Sequence, residues 1–228
     1  MNYQGGKFHL RKKLCGHINR LLCGRPYLEP FMGGGNVTVG VEAAVRVVSD
    51  ANPELIAMWK ALLNGWVPPE NVSEETYKEA REGKLEPHVT AFIATQCSWG
   101  AKWWGGYARN SRGINYFMVG SRKAVKEALS LGGISLSCCN YWEHNPEGML
   151  VYCDPPYVVK TGYNHVGRFD HDRFWFTMGL WAMKNTVLVS FNKVVDGTFL
   201  IEEFSTKVST GIKGNMQTEK LLLVKGLK

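Results

Sequence analysis

Asp154-Pro155-Pro156-Tyr157 carries the groups best suited to holding a planar ring that bears an amino substituent. The Asp154 carboxylate and the Pro155 carbonyl, whose residue has no N–H of its own, can both accept hydrogen bonds from an exocyclic NH2. Tyr157 offers a flat face for stacking. The run before them, Met149-Leu150-Val151-Tyr152-Cys153, is largely apolar and stops at two prolines, so it reads as a buried strand with the carboxylate fixed at its C-terminal end. Ligands of open α/β sheets bind at that end.

A second set of residues suits a nucleoside-bearing cofactor. Tyr3-Gln4-Gly5-Gly6-Lys7 opens the chain, and paired glycines ahead of a helix let backbone N–H groups approach a ligand while Lys7 adds charge. Glu29-Pro30-Phe31-Met32-Gly33-Gly34-Gly35 follows a short apolar run, and Val47-Val48-Ser49-Asp50 ends in an acid. Strand, glycine turn, helix over residues 37–45, strand and acid is the layout of the first half of a nucleotide-binding βαβ unit. Asp50 is then placed to bond a ribose hydroxyl pair. Neither GxGxxG nor GxxxxGK[ST] is present, so the expected ligand has adenosine and ribose without a pyrophosphate, which points to S-adenosylmethionine.

The elements that must position these groups follow from periodicity. Leu10, Leu14, Ile18, Leu21 and Leu22 recur at helical spacing up to Gly24-Arg25-Pro26. Further helices are expected over residues 53–63, from Ser73 to Gly83, through Ala91-Phe92-Ile93, over 123–131 and over 174–184. Strands are expected over 134–138 and 186–190, and a hairpin turning at residues 211–214 is expected in the tail. Residues 99–113 differ: glycines, aromatics and cations alternate without period, as in an exposed loop able to wedge into or stack on nucleic acid, with local core under a long loop as the other reading of its tryptophans. His165 and His171 read as polar loop groups near the site.

Composition narrows the classes. With 228 residues and 45% hydrophobic content the chain can bury a full core. The net charge is +7, no acid precedes Glu29, and none lies between Trp99 and Lys126, a distribution that favours a polyanionic partner. The six cysteines form no CxxC pair and no Cys/His cluster of zinc spacing, so they read as reduced thiols, with no metal expected. No apolar run approaches the roughly 18 residues of a membrane span, and no apolar leader is evident, so a soluble intracellular protein is expected.

In order, Tyr3-x-Gly5-Gly6-Lys7, Glu29-Pro30-Phe31-x-Gly33-Gly34-Gly35, Asp50-x-Asn52, a basic insertion and Asp154-Pro155-Pro156-Tyr157 resemble the Dam-like DNA adenine-N6 methyltransferases. The resemblance spans nearly the whole chain. It implies an α/β, Rossmann-like methyltransferase sheet formed by residues 1–60 and 130–228, with residues 61–129 as a small, mostly helical target-recognition insertion carrying a hairpin or loop. It further implies that Tyr3, Gly5, Lys7, Glu29, Phe31, Gly33, Asp50 and Asp154 hold S-adenosylmethionine, and that residues 154–157 hold an adenine flipped out of double-stranded DNA. Lys102, Trp103, Arg109, Asn110 and Arg112 would contact the duplex, with GATC as the leading target. The implied setting is the cytoplasm of a bacterium or of a phage-infected host, in restriction-modification among other roles. The insertion and the loop before Asp154 are short for the family. Methylation of cytosine N4 or RNA adenine, and a nucleic-acid-binding protein without catalysis, remain the other readings.

Overall fold

The computed structural model describes residues 1–109, 113–156, 169–208 and 215–227. Its frame is a seven-stranded sheet built from β1 (Tyr27–Glu29), β2 (Arg46–Asp50), β3 (Ser135–Cys138), β4 (Leu150–Cys153), β5 (Thr186–Phe191), β6 (Thr198–Val208) and β7 (Asn215–Val224). The order is β3-β2-β1-β4-β5-β7-β6; β1 to β5 run parallel, and β7 enters antiparallel between β5 and β6. This is the mostly parallel α/β sheet, covered by helices on both faces, that the sequence leads one to expect. The tail hairpin is also present, its strands in register from Thr198↔Val224 to Val208↔Asn215, while its expected turn at 211–214 lies outside the described residues.

Alternation along the central strands explains why both faces are covered. Tyr27, Leu150, Tyr152 and Leu188 face α1 (Arg11–Leu22), meeting Leu14, Ile18 and Leu22. Their neighbours Leu28, Val151, Cys153, Val187 and Val189 face α6 (His171–Trp181), meeting Phe174, Met178 and Trp181. A period of two with apolar residues at every position is what a strand buried on both sides requires.

The helices begin where short polar side chains can cap them. Asn52 accepts hydrogen bonds from Glu54 and Leu55 at the start of α2 (Pro53–Leu63), and Ser73 accepts one from Thr76 at the start of α3 (Glu74–Arg81). Asn115 caps α5 (Tyr116–Leu129), and Asp170 caps α6, which places His171 in a helix's first turn and not in the loop expected for it. With α4 (Pro87–Gln96), the buried faces of α2, α3 and α5 share one apolar cluster that includes Val48, Trp59, Tyr77, Phe92 and Phe117.

The helix expected over residues 37–45 does not form. Thr38–Gly40 makes one 3-10 turn. Val37, Thr38 and Val39 are β-branched and Gly40 is flexible, all poor helix formers. The Thr38 hydroxyl is instead used on Glu29, and Gly40 lets the chain pass so close to Cys15 that an added Cβ would lie 2.6 Å from its Sγ. All six cysteines are free, and among the described residues no helix is long and apolar enough to cross a membrane.

Candidate active site

Three acids stand at the C-terminal ends of adjacent parallel strands: Asp50 ends β2, Glu29 ends β1, and Asp154 follows β4. The sheet order, not the chain order, brings them together. Their surroundings differ and so do their capacities.

Glu29 is buried, and its Oε2 accepts from the Tyr27 hydroxyl at 2.8 Å and the Thr38 hydroxyl at 2.6 Å. Burial pushes its carboxyl up to about 8; the two hydroxyls oppose the rise, and the charges of Asp154 and Asp50 add to it. It is a protonated, structural carboxyl near neutrality, without an open face of its own.

Asp50 is half-buried. Its Oδ2 accepts from the Gly33 N–H at 3.0 Å and its Oδ1 from the Asn52 N–H at 3.0 Å. Burial raises its pKa, and these backbone donors counter the rise. The acid therefore braces the glycine turn, and each oxygen keeps a lone pair for a further donor. Gly33 needs its lack of a side chain on two counts: its φ is +48°, and an added Cβ would meet the Tyr3 ring at 3.1 Å. The Tyr3 ring thus lies over the turn, while the Trp59 indole N–H donates to the Gly33 carbonyl from the other side at 3.0 Å.

Lys7 is buried and reaches across to Asp154. Its Nζ lies 2.6 and 2.7 Å from the two carboxylate oxygens, 3.1 Å from the Gly5 carbonyl and 3.6 Å from Glu219. An ammonium nitrogen is thereby held against the acid that the sequence assigns to an amino group. Pro155 is buried behind Asp154, and Pro156 is half-buried. Tyr157, Asn110 and Arg112, as well as His165, lie outside the described residues.

Phe31 packs into an aromatic cluster, with centroids 5.4 Å from Tyr141, 6.1 Å from Phe169 and 5.9 Å from Phe174. Tyr141, Phe169 and Glu219 were not singled out from the sequence. The position of Tyr141, three residues beyond β3 at the ligand end of a parallel strand, is the signal that could have found it.

The basic segment divides in a way its composition does not reveal. Trp103, Trp104 and Tyr107 pack on the helical core cluster, whereas Trp99 is 73% exposed. Trp103, expected at the duplex, is therefore largely an anchor, and the free indole face belongs to Trp99. Lys102 is exposed, and Arg109, also exposed, pairs with Glu74 at 2.9 Å. Ala101 and Trp104 hold left-handed backbone at φ +54° and +53°, a conformation uncommon outside glycine. The segment is tied to the site by the Gln4 N–H, which donates to the Ala101 carbonyl at 3.2 Å.

Residues 3–92 match the family model of the D12 class N6 adenine-specific DNA methyltransferases. That match takes in the opening arm, the glycine turn and Asp50, and stops short of Asp154. Two curated relatives, the DNA adenine methylases of two Vibrio cholerae serotype O1 strains, are each 24% identical over 181 residues, covering 69% of this chain. The chain spans only 64% of the length of those relatives. Among solved structures, the rRNA methyltransferase aviRa from Streptomyces viridochromogenes is similar at 14% identity and a TM-score of 0.48, over 97% of this chain and 86% of that one. TrmN from Thermus thermophilus is similar at 12% identity and a TM-score of 0.41, over 94% and 48%.

Proposed function

We propose that the protein transfers a methyl group from S-adenosylmethionine to the N6 amino group of adenine in double-stranded DNA. The observation that carries this reading is the Lys7 ammonium held by both oxygens of Asp154 at the end of β4. That carboxylate is built to grip a nitrogen bearing hydrogens, and an adenine amino group presents such a nitrogen.

The residues around the glycine turn fit the cofactor. Asp50 has acceptor capacity left for ribose hydroxyls, Tyr3 and Gly33 shape the turn, and the aromatic group around Phe31 suits both an adenine ring and a sulfonium cation. When bound, S-adenosylmethionine supplies an electrophilic methyl group. Asp154 then accepts a hydrogen bond from the N6 amino group, with the Pro155 carbonyl as second acceptor. Both stabilise positive charge that grows on the nitrogen more than they stabilise the neutral amine, which is the condition for lowering the barrier. Lys7 must release at least one Asp154 oxygen as the amine enters, and Glu219 and the Gly5 carbonyl are the acceptors that keep it near. Glu29, protonated around pH 7, adds no second negative charge beside Asp154.

An adenine inside a duplex cannot reach a strand-end carboxylate, so the base must leave the stack. In this scheme the exposed Trp99 and Lys102 of the basic segment meet the duplex, with the exposed Arg109 able to leave Glu74 for a phosphate or a guanine edge. On this reading residues 61–129 read the target, residues 1–60 and 130–228 perform the transfer, and the protein works in the cytoplasm of a bacterium or phage-infected cell.

Incubation with unmethylated DNA and labelled S-adenosylmethionine, followed by nucleoside analysis, tests the proposal. The expected product is N6-methyladenine. Label confined to N4-methylcytosine or to RNA, or cofactor binding without transfer to any nucleic acid, would replace it with one of the other readings.

A further inference from the structure

The residue after Lys7 points the opposite way. Phe8 is 43% exposed, and two cations crowd its ring: the Arg11 guanidinium carbon lies 5.3 Å from the centroid and the Lys123 Nζ 3.9 Å. Arg11 opens α1 and Lys123 belongs to α5, so elements far apart in the chain converge here. Lys123 is oriented by a hydrogen bond to the Asn2 side-chain oxygen at 2.9 Å. Among the described residues, neither Arg11, Lys12 nor Lys123 has a carboxylate within ion-pair distance. Burial, and after it the charge of Arg11, hold the Lys123 ammonium below its ordinary pKa. In addition, α1 starts with no side-chain cap and no acid in its first turn. Positive charge is thus gathered by two helices, left uncompensated, and fixed in orientation by the Phe8 ring and Asn2.

Its place matters as much as its sign. Lys7 reaches inward to Asp154 and Phe8 faces outward, on consecutive residues about 3.8 Å apart along the backbone. A flipped nucleotide puts its base in the pocket while its phosphate and the neighbouring ones stay at the mouth. Cations gathered at the residue next to Lys7 would serve those phosphates whatever the sequence of the target.

We infer that Arg11 and Lys123, oriented about Phe8, form a phosphodiester-binding clamp for the DNA backbone beside the target nucleotide, separate from the basic segment 99–109. This rests on the proposed function, which it extends from the base to the backbone. The clamp supplies affinity without sequence preference. It also gives Arg11, which has no ion-pair partner among the described residues, a role within the acid-free stretch ahead of Glu29.

The test is the salt dependence of DNA binding by the Arg11→Gln/Lys123→Gln double variant, read by fluorescence anisotropy without cofactor on a duplex containing adenine and on a dG·dC duplex. Loss of two phosphate contacts predicts affinity about tenfold weaker at low salt and a log–log salt slope shallower by about 1.8, equally on both duplexes. Affinity for S-adenosylmethionine should stay unchanged, which shows that the fold is retained. Arg11→Gln alone leaves the Lys123 to Asn2 hydrogen bond in place and should give about half the change in slope. Wild-type affinity and slope in the double variant would overturn the clamp, and if that variant still methylates adenine the proposed function survives. A weaker and shallower response in a protein that methylates nothing would support the clamp and sink the proposed function. Competition by inorganic phosphate at constant ionic strength, with DNA affinity unaffected by the substitutions, would mean a site for the free anion and would also overturn it.

Discussion

The end of β4 and segment 99–109 are both rich in groups that can meet a nucleic acid, yet they are built on opposite principles. At β4, a buried strand of alternating side chains delivers Asp154 to a fixed point, where Lys7 meets it from the segment ahead of α1 and Glu219 of β7 lies 3.6 Å from the same ammonium. In segment 99–109 the backbone is irregular, with left-handed Ala101 and Trp104, and its shape depends on Trp103, Trp104 and Tyr107 gripping a helical core so that Trp99 can face outward. The first region is precise because regular elements hold it, whereas the second is a surface whose anchors and contacts alternate residue by residue. Chemistry needs the former, and adaptable docking is served by the latter.

The sharpest way to break this comparison is Asp154→Ala. Methyl transfer should fall by about a hundred- to a thousandfold in single-turnover assays, while S-adenosylmethionine affinity changes little. Turnover near wild type would remove Asp154 from the chemistry. Next comes a pair of substitutions within the segment. Trp104→Ala should destabilise the protein by about 3 kcal/mol by opening a void against Tyr77. Trp99→Ala should leave the melting temperature alone and weaken DNA binding by about 1 to 3 kcal/mol. Equal loss of stability in both variants would erase the distinction between anchor and contact.

Asp50→Ala probes a residue with two duties. It should raise the Michaelis constant for S-adenosylmethionine by the equivalent of about 1.5 to 3 kcal/mol. It should also lower stability, because the Gly33 N–H loses its acceptor. A change in DNA affinity alone would mean that Asp50 is misassigned.

The last test concerns pH. Glu29 has a folded pKa of about 8 against 4.5 for the unfolded group, so between these values the folded state retains a proton that the unfolded chain has lost. Its contribution is complete below pH 4.5 and is lost progressively as pH rises towards 8. Denaturant unfolding at pH 5 to 7 should therefore show a slope of up to about 1.4 kcal/mol per pH unit, absent in Glu29→Gln. A wild-type slope unaffected by that substitution would place the titration elsewhere.

What could be read from the sequence follows the same division. Leu14, Ile18 and Leu22, the caps Asn52 and Ser73, and the apolar run ended by Pro155 are local signals, and each element they imply is present. Residues 37–45 misled because an apolar run shows burial without showing period, and its β-branched residues resolve into a single 3-10 turn. Trp99 and Trp103 could not be told apart, since no periodicity says which way an irregular loop turns. The Lys7 to Asp154 pair, separated by 147 positions, and the approach of Glu219 depend on strand order, which composition does not encode.

That separation also sets when the site comes into being during folding. Because β7 lies between β5 and β6, the terminal hairpin must enter the sheet as a unit, and Glu219 arrives with it. The pairing of Lys7 with Asp154 likewise waits on closing a very long loop. Contacts of such sequence separation form late and slowly. Helical signal should recover on dilution from denaturant well before methyl-transfer competence does, and the regained activity then serves as a clock for completion of the sheet.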